Sequence, residues 1–279
     1  MVTSAFPFHQ VTPSADVVRL VQLTDTHLKR KAGGTLLGMD TDHSLQCVID
    51  LVQRERPQMD IVLGTGDLSD HGSQQAYQRL RGYFAQLQGE DFWLPGNHDD
   101  RALMAAVAES QGKLQREIRS GNWQIIMLDS QVPGEVGGHL GEHELACLEA
   151  ALGAADEAGL YTLVCLHHQP VPVGCAWLDQ QMVADADAFF AVLGRHPGVR
   201  GVLWGHVHQQ IDLQRNGVAL MASPSTCVQF APNSQDFKAD PAPPGYRWLE
   251  LAADGSLDTG VSRVMDVEFT VDLESGGYL

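Results

Sequence analysis

Apolar residues recur along this chain in two alternating rhythms. Short runs with few polar interruptions read as strands: VVRLVQL (17–23), MDIVLG (59–64), FWLPG (92–96), WQIIMLD (123–129), YTLVCL (161–166), VRGVLW (199–204), VALMAS (218–223) and RWLELA (247–252). The first six are nearly continuous apolar runs, as expected of strands buried on both faces. Between them the spacing becomes helical. Leu45, Val48, Ile49 and Val52 form one stripe, and Pro57 follows its end. Tyr77, Leu80, Phe84 and Leu87 form a second behind Ser73, a candidate N-cap. Leu145, Leu148 and Leu152 form a third, which Gly159 closes. Strand and helix in alternation predict an α/β fold with substantial parallel pairing. The last third is richer in strand, turn and proline, so a second, more antiparallel sheet is expected there.

No internal repeat, low-complexity tract or linker divides the chain. Residues 1–16 read as a loose arm, 17–265 as one domain and 266–279 as an acidic tail. The opening MVTSAFPFHQVTPSADVV has neither the basic nor the apolar block of a secretory signal, and no run of about 18 apolar residues suggests a membrane span. The five cysteines, Cys47, Cys147, Cys165, Cys175 and Cys227, are odd in number and form no CxxC pair. They read as reduced thiols in a cytoplasmic protein. A net charge of −17 opposes nucleic acid or an anionic membrane as partner. It says little against a small anion, which responds to the local field of its pocket.

The chemistry lies just beyond the strands. After VVRLVQLT come Asp25 and His27, and after MDIVLGTG comes Asp67. Asn97, His98 and Asp99 follow FWLPG, His167 and His168 follow YTLVCL, and His206 and His208 follow VRGVLWG. Ligands in open α/β sheets bind beyond the carboxyl ends of the strands. Turn-favouring Asp or Asn is common at any one such position, but five strand ends bearing ligand-type residues, four with histidine, point to one convergent site. Gly66, Gly96 and Gly205 precede three of these groups, where a missing Cβ lets the backbone come close. Two carboxylates, an amide oxygen and four imidazoles suit Zn, Mn or Fe better than Ca. They are too many for one tetrahedral ion and fit two ions sharing a carboxylate. His167 and His168 are neighbours that point oppositely, so only one serves as a ligand. The reading takes His167, directly after the strand. His9, His71, His139, His143 and His196 read as solvated, and His43 as a helix-start residue.

These blocks resemble the calcineurin-like metallophosphoesterase superfamily, with its pattern D-x-H, GD, GNH[DE], H and GHxH. All five blocks stand in order between Asp25 and His208. The segments TDTHL, TLLGMDT, WLPGNHD, LDSQV, GCAWLDQ and PSTCVQF are similar to the bacterial class III 3′,5′-cyclic AMP phosphodiesterases. That resemblance implies two packed mixed sheets in a four-layer α/β/β/α sandwich, with a dinuclear metal site at the strand ends. It assigns Asp25, His27 and His208 to one ion and Asn97, His167 and His206 to the other, with Asp67 bridging. The ions are expected to be Fe and/or Mn, with Zn also possible. His98 becomes a catalytic group that does not bind metal but bonds the phosphate and aids the leaving oxygen. His27, Asp67, Asn97, His98 and His208 are the expected substrate contacts. The implied reaction turns cyclic AMP into 5′-AMP when hydroxide held between the ions attacks phosphorus, in a monomer or homodimer.

Two other readings remain at this stage. Metal motifs set the chemistry and not the leaving group, so a broader phosphodiesterase acting on glycerophosphodiesters or 2′,3′-cyclic nucleotides has the same motifs. A non-catalytic scaffold on this fold is the other, although here every block is intact. Cys227 and Phe230 are candidates for a base pocket or for ordinary packing.

Overall fold

A computed structural model describes residues 7–277. The apolar runs assemble into two mixed sheets. The five-stranded sheet runs in the order Leu257–Arg263, Gly245–Ala252, Val17–Leu23, Ile61–Thr65, Glu90–Leu94. Its last three strands are parallel and its first three antiparallel. The seven-stranded sheet runs His9–Val11, Glu117–Ser120, Trp123–Met127, Tyr161–Cys165, Val199–Trp204, Val218–Ala222, Ile211–Arg215. Four consecutive members, from Trp123–Met127 to Val218–Ala222, are mutually parallel.

The sheets pack face to face through a dry layer. Leu20, Ile61, Leu63 and Phe92 from one meet Trp123, Ile125, Leu163 and Leu203 from the other. Helices cover both outer faces. Thr41–Glu55 and Gln74–Phe84 bury Leu45, Val48, Ile49, Tyr77, Leu80 and Phe84 against Val21, Val62 and Trp93. Gly141–Ala158 and Ala186–Leu193 bury Leu148, Leu152 and Phe189 against Ile126, Val164 and Trp204. The result is the expected α/β/β/α layering. Ser73 caps its helix through the Ala76 N–H (3.2 Å), Asp40 caps the first helix through the His43 N–H (3.0 Å), and Gly159 ends the long helix in the left-handed region (φ 67°). His43 is thus a helix-start residue.

Two expectations are corrected. Apart from a two-residue antiparallel ladder, Gln229–Phe230 with Ala239–Asp240, the strands of the last third form no sheet of their own. Ile211–Arg215 and Val218–Ala222 extend the seven-stranded sheet, while Gly245–Ala252 and Leu257–Arg263 extend the other. Part of the arm expected to be loose also joins a sheet: His9–Val11 pairs in parallel with Glu117–Ser120, and buried Val11 enters the layer between the sheets; residues 1–6 lie outside the described residues. In the acidic segment after 265, Phe269 and Val271 pack on Leu36 and Met39, and the Asp272 N–H donates to the Leu37 carbonyl (2.7 Å). The TLLGMDT segment is therefore a packed hairpin, Thr35–Leu36 against Met39–Asp40.

Polar cross-links also join the sheets. Arg247, fully buried on the five-stranded sheet, donates to the Ala222 carbonyl (2.8 Å) and the Ile211 carbonyl (3.2 Å) of the other and meets Asp212 at 2.8 Å. Removing a donor leaves buried acceptors unsatisfied, which costs roughly 1–3 kcal/mol. Arg247→Met should therefore lower the urea midpoint at unchanged slope; an unshifted midpoint would show that these bonds contribute nothing net.

Candidate metal centre

At one edge of the sandwich the parallel strands of both sheets end together, and the chain turns sharply there. Asp25 (φ 53°), His27 (43°), Asp67 (49°), His206 (65°) and His208 (49°) all hold left-handed backbone, five of the eight non-glycine residues with positive φ among the described residues. Such conformations cost of order 1–3 kcal/mol each and collect at functional sites. Backbone bonds lock the turns to each other: the Asp25 N–H donates to the Gly66 carbonyl (3.0 Å) and the His27 N–H to the Asp67 carbonyl (2.9 Å). Gly66 is required twice over, by its φ of 95° and by the His167 ring lying where a Cβ would project. Two bonds then tie the sheets together. Asp25 accepts from the His206 N–H (3.0 Å), and His167 Nδ1 donates to the Thr65 carbonyl (2.8 Å).

All seven side chains taken as metal ligands converge here. Asp25, His27, Asp67, His167, His206 and His208 are buried, while Asn97 is partly open. His27 Nδ1 donates to Asp70 (3.3 Å) and His208 Nδ1 to the Val228 carbonyl (2.7 Å). These bonds fix both tautomers, so the two Nε2 lone pairs face each other at 3.2 Å. Asp25 lies 3.4 Å from His208 Nε2, and Asp67 Oδ2 lies 3.7 Å from His27 Nε2. On the other side, His167 Nε2 stands 3.2 Å from both Asp67 Oδ2 and Asn97 Oδ1. His206 Nε2 donates to Gln181 Oε1 (3.0 Å), which leaves Nδ1 as its acceptor. Asp25–His27–His208, Asp25–Asp67–His167 and His167–His168–His206 each bring their donor atoms within 4.8 Å. Buried acceptors crowded in this way repel one another unless a cation lies among them. The donor set therefore fits two adjacent ions that share Asp67.

The electrostatics follow from the crowding. Burial alone would raise the Asp25 and Asp67 carboxyls, but His208 beside the first and His167 beside the second hold both below the ordinary range. Burial works against His167, yet Asp67 raises it to about 9; His206 is pushed far down by burial. Burial and Asp67 together raise Asp99 to about 6. Asp99 accepts from the N–H groups of Leu68 (3.1 Å), Ser69 (2.9 Å) and Gly96 (2.9 Å) and from the Tyr77 hydroxyl (2.9 Å), so it joins the Asp67 turn to the Asn97 turn.

His168 lies beside the cluster, its ring centroid 4.8 Å from that of His206, but both of its nitrogens are engaged elsewhere. Its Nε2 donates to the Val136 carbonyl (3.0 Å), and its Nδ1 accepts from Ser130 (2.8 Å), which leaves no lone pair for an ion. His98 is partly exposed. Its N–H donates to Asp67 Oδ1 (2.9 Å) and its Nδ1 to the Asp70 carbonyl (2.8 Å). Asn97 and His98 line a cleft of about 650 Å³, together with His71, Arg101, Gln131 and the loop Pro133–Val136. The cluster is open to solvent on this side.

Sequence reasoning passed over several participants. Asp70, three residues after Asp67, orients His27 and also receives Lys29 and His71. His71 is exposed as expected, but it stands on the cleft rim 6.4 Å from the His98 ring. Phe230 and Cys227, expected in a base pocket or in ordinary packing, both touch the cluster: Phe230 stacks on His208 at 4.0 Å, and buried Cys227 sets its thiol on the Asp25 carbonyl (3.3 Å). Of the histidines expected to be solvated, His196 departs from that reading: its side chain is 9% exposed and is held by Asp156 at 2.7 Å.

Known proteins share these features. The calcineurin-like phosphoesterase family profile matches residues 18–210. The "3′,5′-cyclic adenosine monophosphate phosphodiesterase CpdA" of Pseudomonas aeruginosa is 47% identical over 97% of this chain and 99% of its own length. The protein of that name in Escherichia coli K12 is 42% identical over 94% and 95%. A Nostoc "3′,5′-cyclic-nucleotide phosphodiesterase" is 38% identical over 88% and 92%. Among solved structures, a Danio rerio dimetal phosphatase superposes with TM-score 0.58 at 17% identity, covering 92% of this chain and 99% of that one, which shows a shared fold.

Asp70→Ala, which removes the acceptor, tests the orientation of His27. Losing the partner of a metal-binding imidazole typically costs 10–100-fold in metal affinity, and competition with a chromogenic chelator should report a weakening of that size. Unaltered affinity would mean that the Asp70 bond is incidental. The ordered motifs, the family profile over residues 18–210 and near full-length relatives agree: the chain is a member of the calcineurin-like phosphoesterase family.

Proposed function

We propose that this protein hydrolyses 3′,5′-cyclic AMP to 5′-AMP, using two transition-metal ions, Fe and/or Mn with Zn also accommodated. One observation carries the reading: a buried cluster of facing acceptors has its opening at Asn97 and His98. The names of relatives at up to 47% identity over nearly the whole chain supply the substrate.

Asp25, His27 and His208 would hold one ion and Asn97, His167 and His206 the other, with Asp67 between them. Bound there, the ions would supply positive charge for the phosphoryl oxygens and make a water acidic enough to act as nucleophile near neutrality. The protein does the rest. The cleft, about 650 Å³, is of a size that suits a nucleotide. His98, with Nδ1 committed to the Asp70 carbonyl, turns Nε2 to the phosphate or the leaving O3′. Donors fixed before the substrate arrives stabilise developing charge without reorganising. His27, Asp67, Asn97 and His208 bring the remaining substrate contacts to the same face. With two divalent ions bound, the cluster would carry the local positive charge that lets an anionic diester approach despite the net −17, because distant charge is screened beyond roughly 8 Å.

The cellular setting proposed is the cytoplasm. The five cysteines are free, and among the described residues no helix is long and apolar enough to cross a membrane. The Nostoc relative's name favours a second reading, a wider range of cyclic nucleotides; relative rates on cyclic AMP, cyclic GMP and glycerophosphocholine separate the two.

Chelation should abolish cyclic AMP turnover, and Fe²⁺ or Mn²⁺ should restore it. Full activity in metal-stripped protein would remove the basis of the proposal. His98→Ala should keep both ions and lose on the order of 10²–10⁴ in rate, the usual worth of a positioned acid–base group. Stoichiometric loss of metal in that variant would instead make His98 a ligand.

A further inference from the structure

We infer that Gln131 is a positioning residue that holds Asn97 and His98 in register over the site. The motif around it, LDSQV, contributes no ligand to the cluster, yet it lies directly behind the open side. Gln131 Nε2 donates both of its protons, one to the Gly96 carbonyl (2.7 Å) and one to the Asp99 carbonyl (2.6 Å). These carbonyls bracket Asn97 and His98, so one amide spans the turn that carries both groups. The turn is held from the opposite side by Asp67 on the His98 N–H and by Asp99 on the Gly96 N–H. The Asp99 N–H also closes the turn onto the Gly96 carbonyl (3.2 Å), and Gln131 adds a side-chain restraint on the cleft side.

Gln131 is itself fixed. Its N–H donates to Asp129 Oδ1 (3.0 Å) and its carbonyl accepts from Arg101 Nη2 (2.6 Å). Arg101 grips both oxygens of Asp129, through Nε at 2.7 Å and Nη2 at 2.8 Å. A planar fork of this kind is pre-organised, so its order passes to the groups it holds. The preceding residue, Ser130, donates to His168 Nδ1 (2.8 Å) beside the cluster. The segment Asp129–Gln131 therefore braces the half of the site that faces the cleft, and a small misplacement there has a large effect on rate.

The inference rests on the roles proposed above for Asn97 and His98. Gln131→Ala is made in the wild-type and His98→Ala backgrounds. If the small side chain prevents folding, Gln131→Met, nearly the same shape without the amide, takes its place. Each protein is loaded with Mn²⁺ and assayed at saturating bis(p-nitrophenyl) phosphate, and Mn²⁺ loss is followed separately during dialysis without substrate. With His98 present, kcat should fall about 10–100-fold, the usual consequence of removing an outer partner. In the His98→Ala background the same change should cost less than about threefold, because coupled sites are not additive. Mn²⁺ should also leave faster than from the parent. An equal loss of kcat in both backgrounds, wild-type kcat, or Mn²⁺ retention matching the parent would overturn the inference. A His98→Ala parent that loses no rate would defeat the underlying functional reading instead, whatever Gln131 does.

Discussion

Two imidazole nitrogens pointing lone pair to lone pair, 3.2 Å apart and buried, form the constraint on which this molecule turns. Neither ring can rotate away, because Asp70 and the Val228 carbonyl hold the opposite nitrogens. Asp25 and Asp67 add negative charge to the same enclosed space. An arrangement of this kind is unfavourable in low dielectric unless positive charge compensates it. The fold concentrates acceptors where apolar side chains would have been more stable, and the left-handed backbone at five of the contributing residues adds to the cost.

The surrounding architecture resists relaxation of that cluster. Two sheets packed through a dry layer bring their strand ends to one edge, and the bonds from His206 to Asp25 and from His167 to Thr65 cross between them. A candidate ligand on one sheet cannot retreat without straining the turns on the other. Asp99, which accepts four hydrogen bonds, does the same for the turns of Asp67 and Asn97. Close packing makes such junctions stiff, and stiffness is what a site that stabilises charge needs.

An acidic protein that handles an anion is no contradiction at this scale. Water and salt screen the remote carboxylates, while the cluster acts at contact distance. The open side lies at Asn97 and His98, and the groups around it, His71, Arg101 and Gln131, come from three separate stretches of chain.

The turns and their chemistry are legible in the order of residues alone. Buried strands must be apolar, so Asp25, His27, Asp67, His167, His206 and His208 stand out just after such runs. Helical stripes such as Leu45–Val48–Ile49–Val52 announce their buried faces by period alone. Edge strands escaped notice for the converse reason: Ile211–Arg215 is mostly exposed and carries too little apolar signal. Tertiary structure decided whatever depends on partners distant along the chain. It sent the two C-terminal hairpins to different sheets and paired His9–Val11 with residues more than a hundred positions away. It turned His168 to Ser130 while His167 faces Asp67, and it set Asp70 behind His27 and Gln131 over the Asn97 turn. Local sequence encodes the conformation and polarity of a segment, but hydrogen bonds between remote segments form only when the whole layer packs.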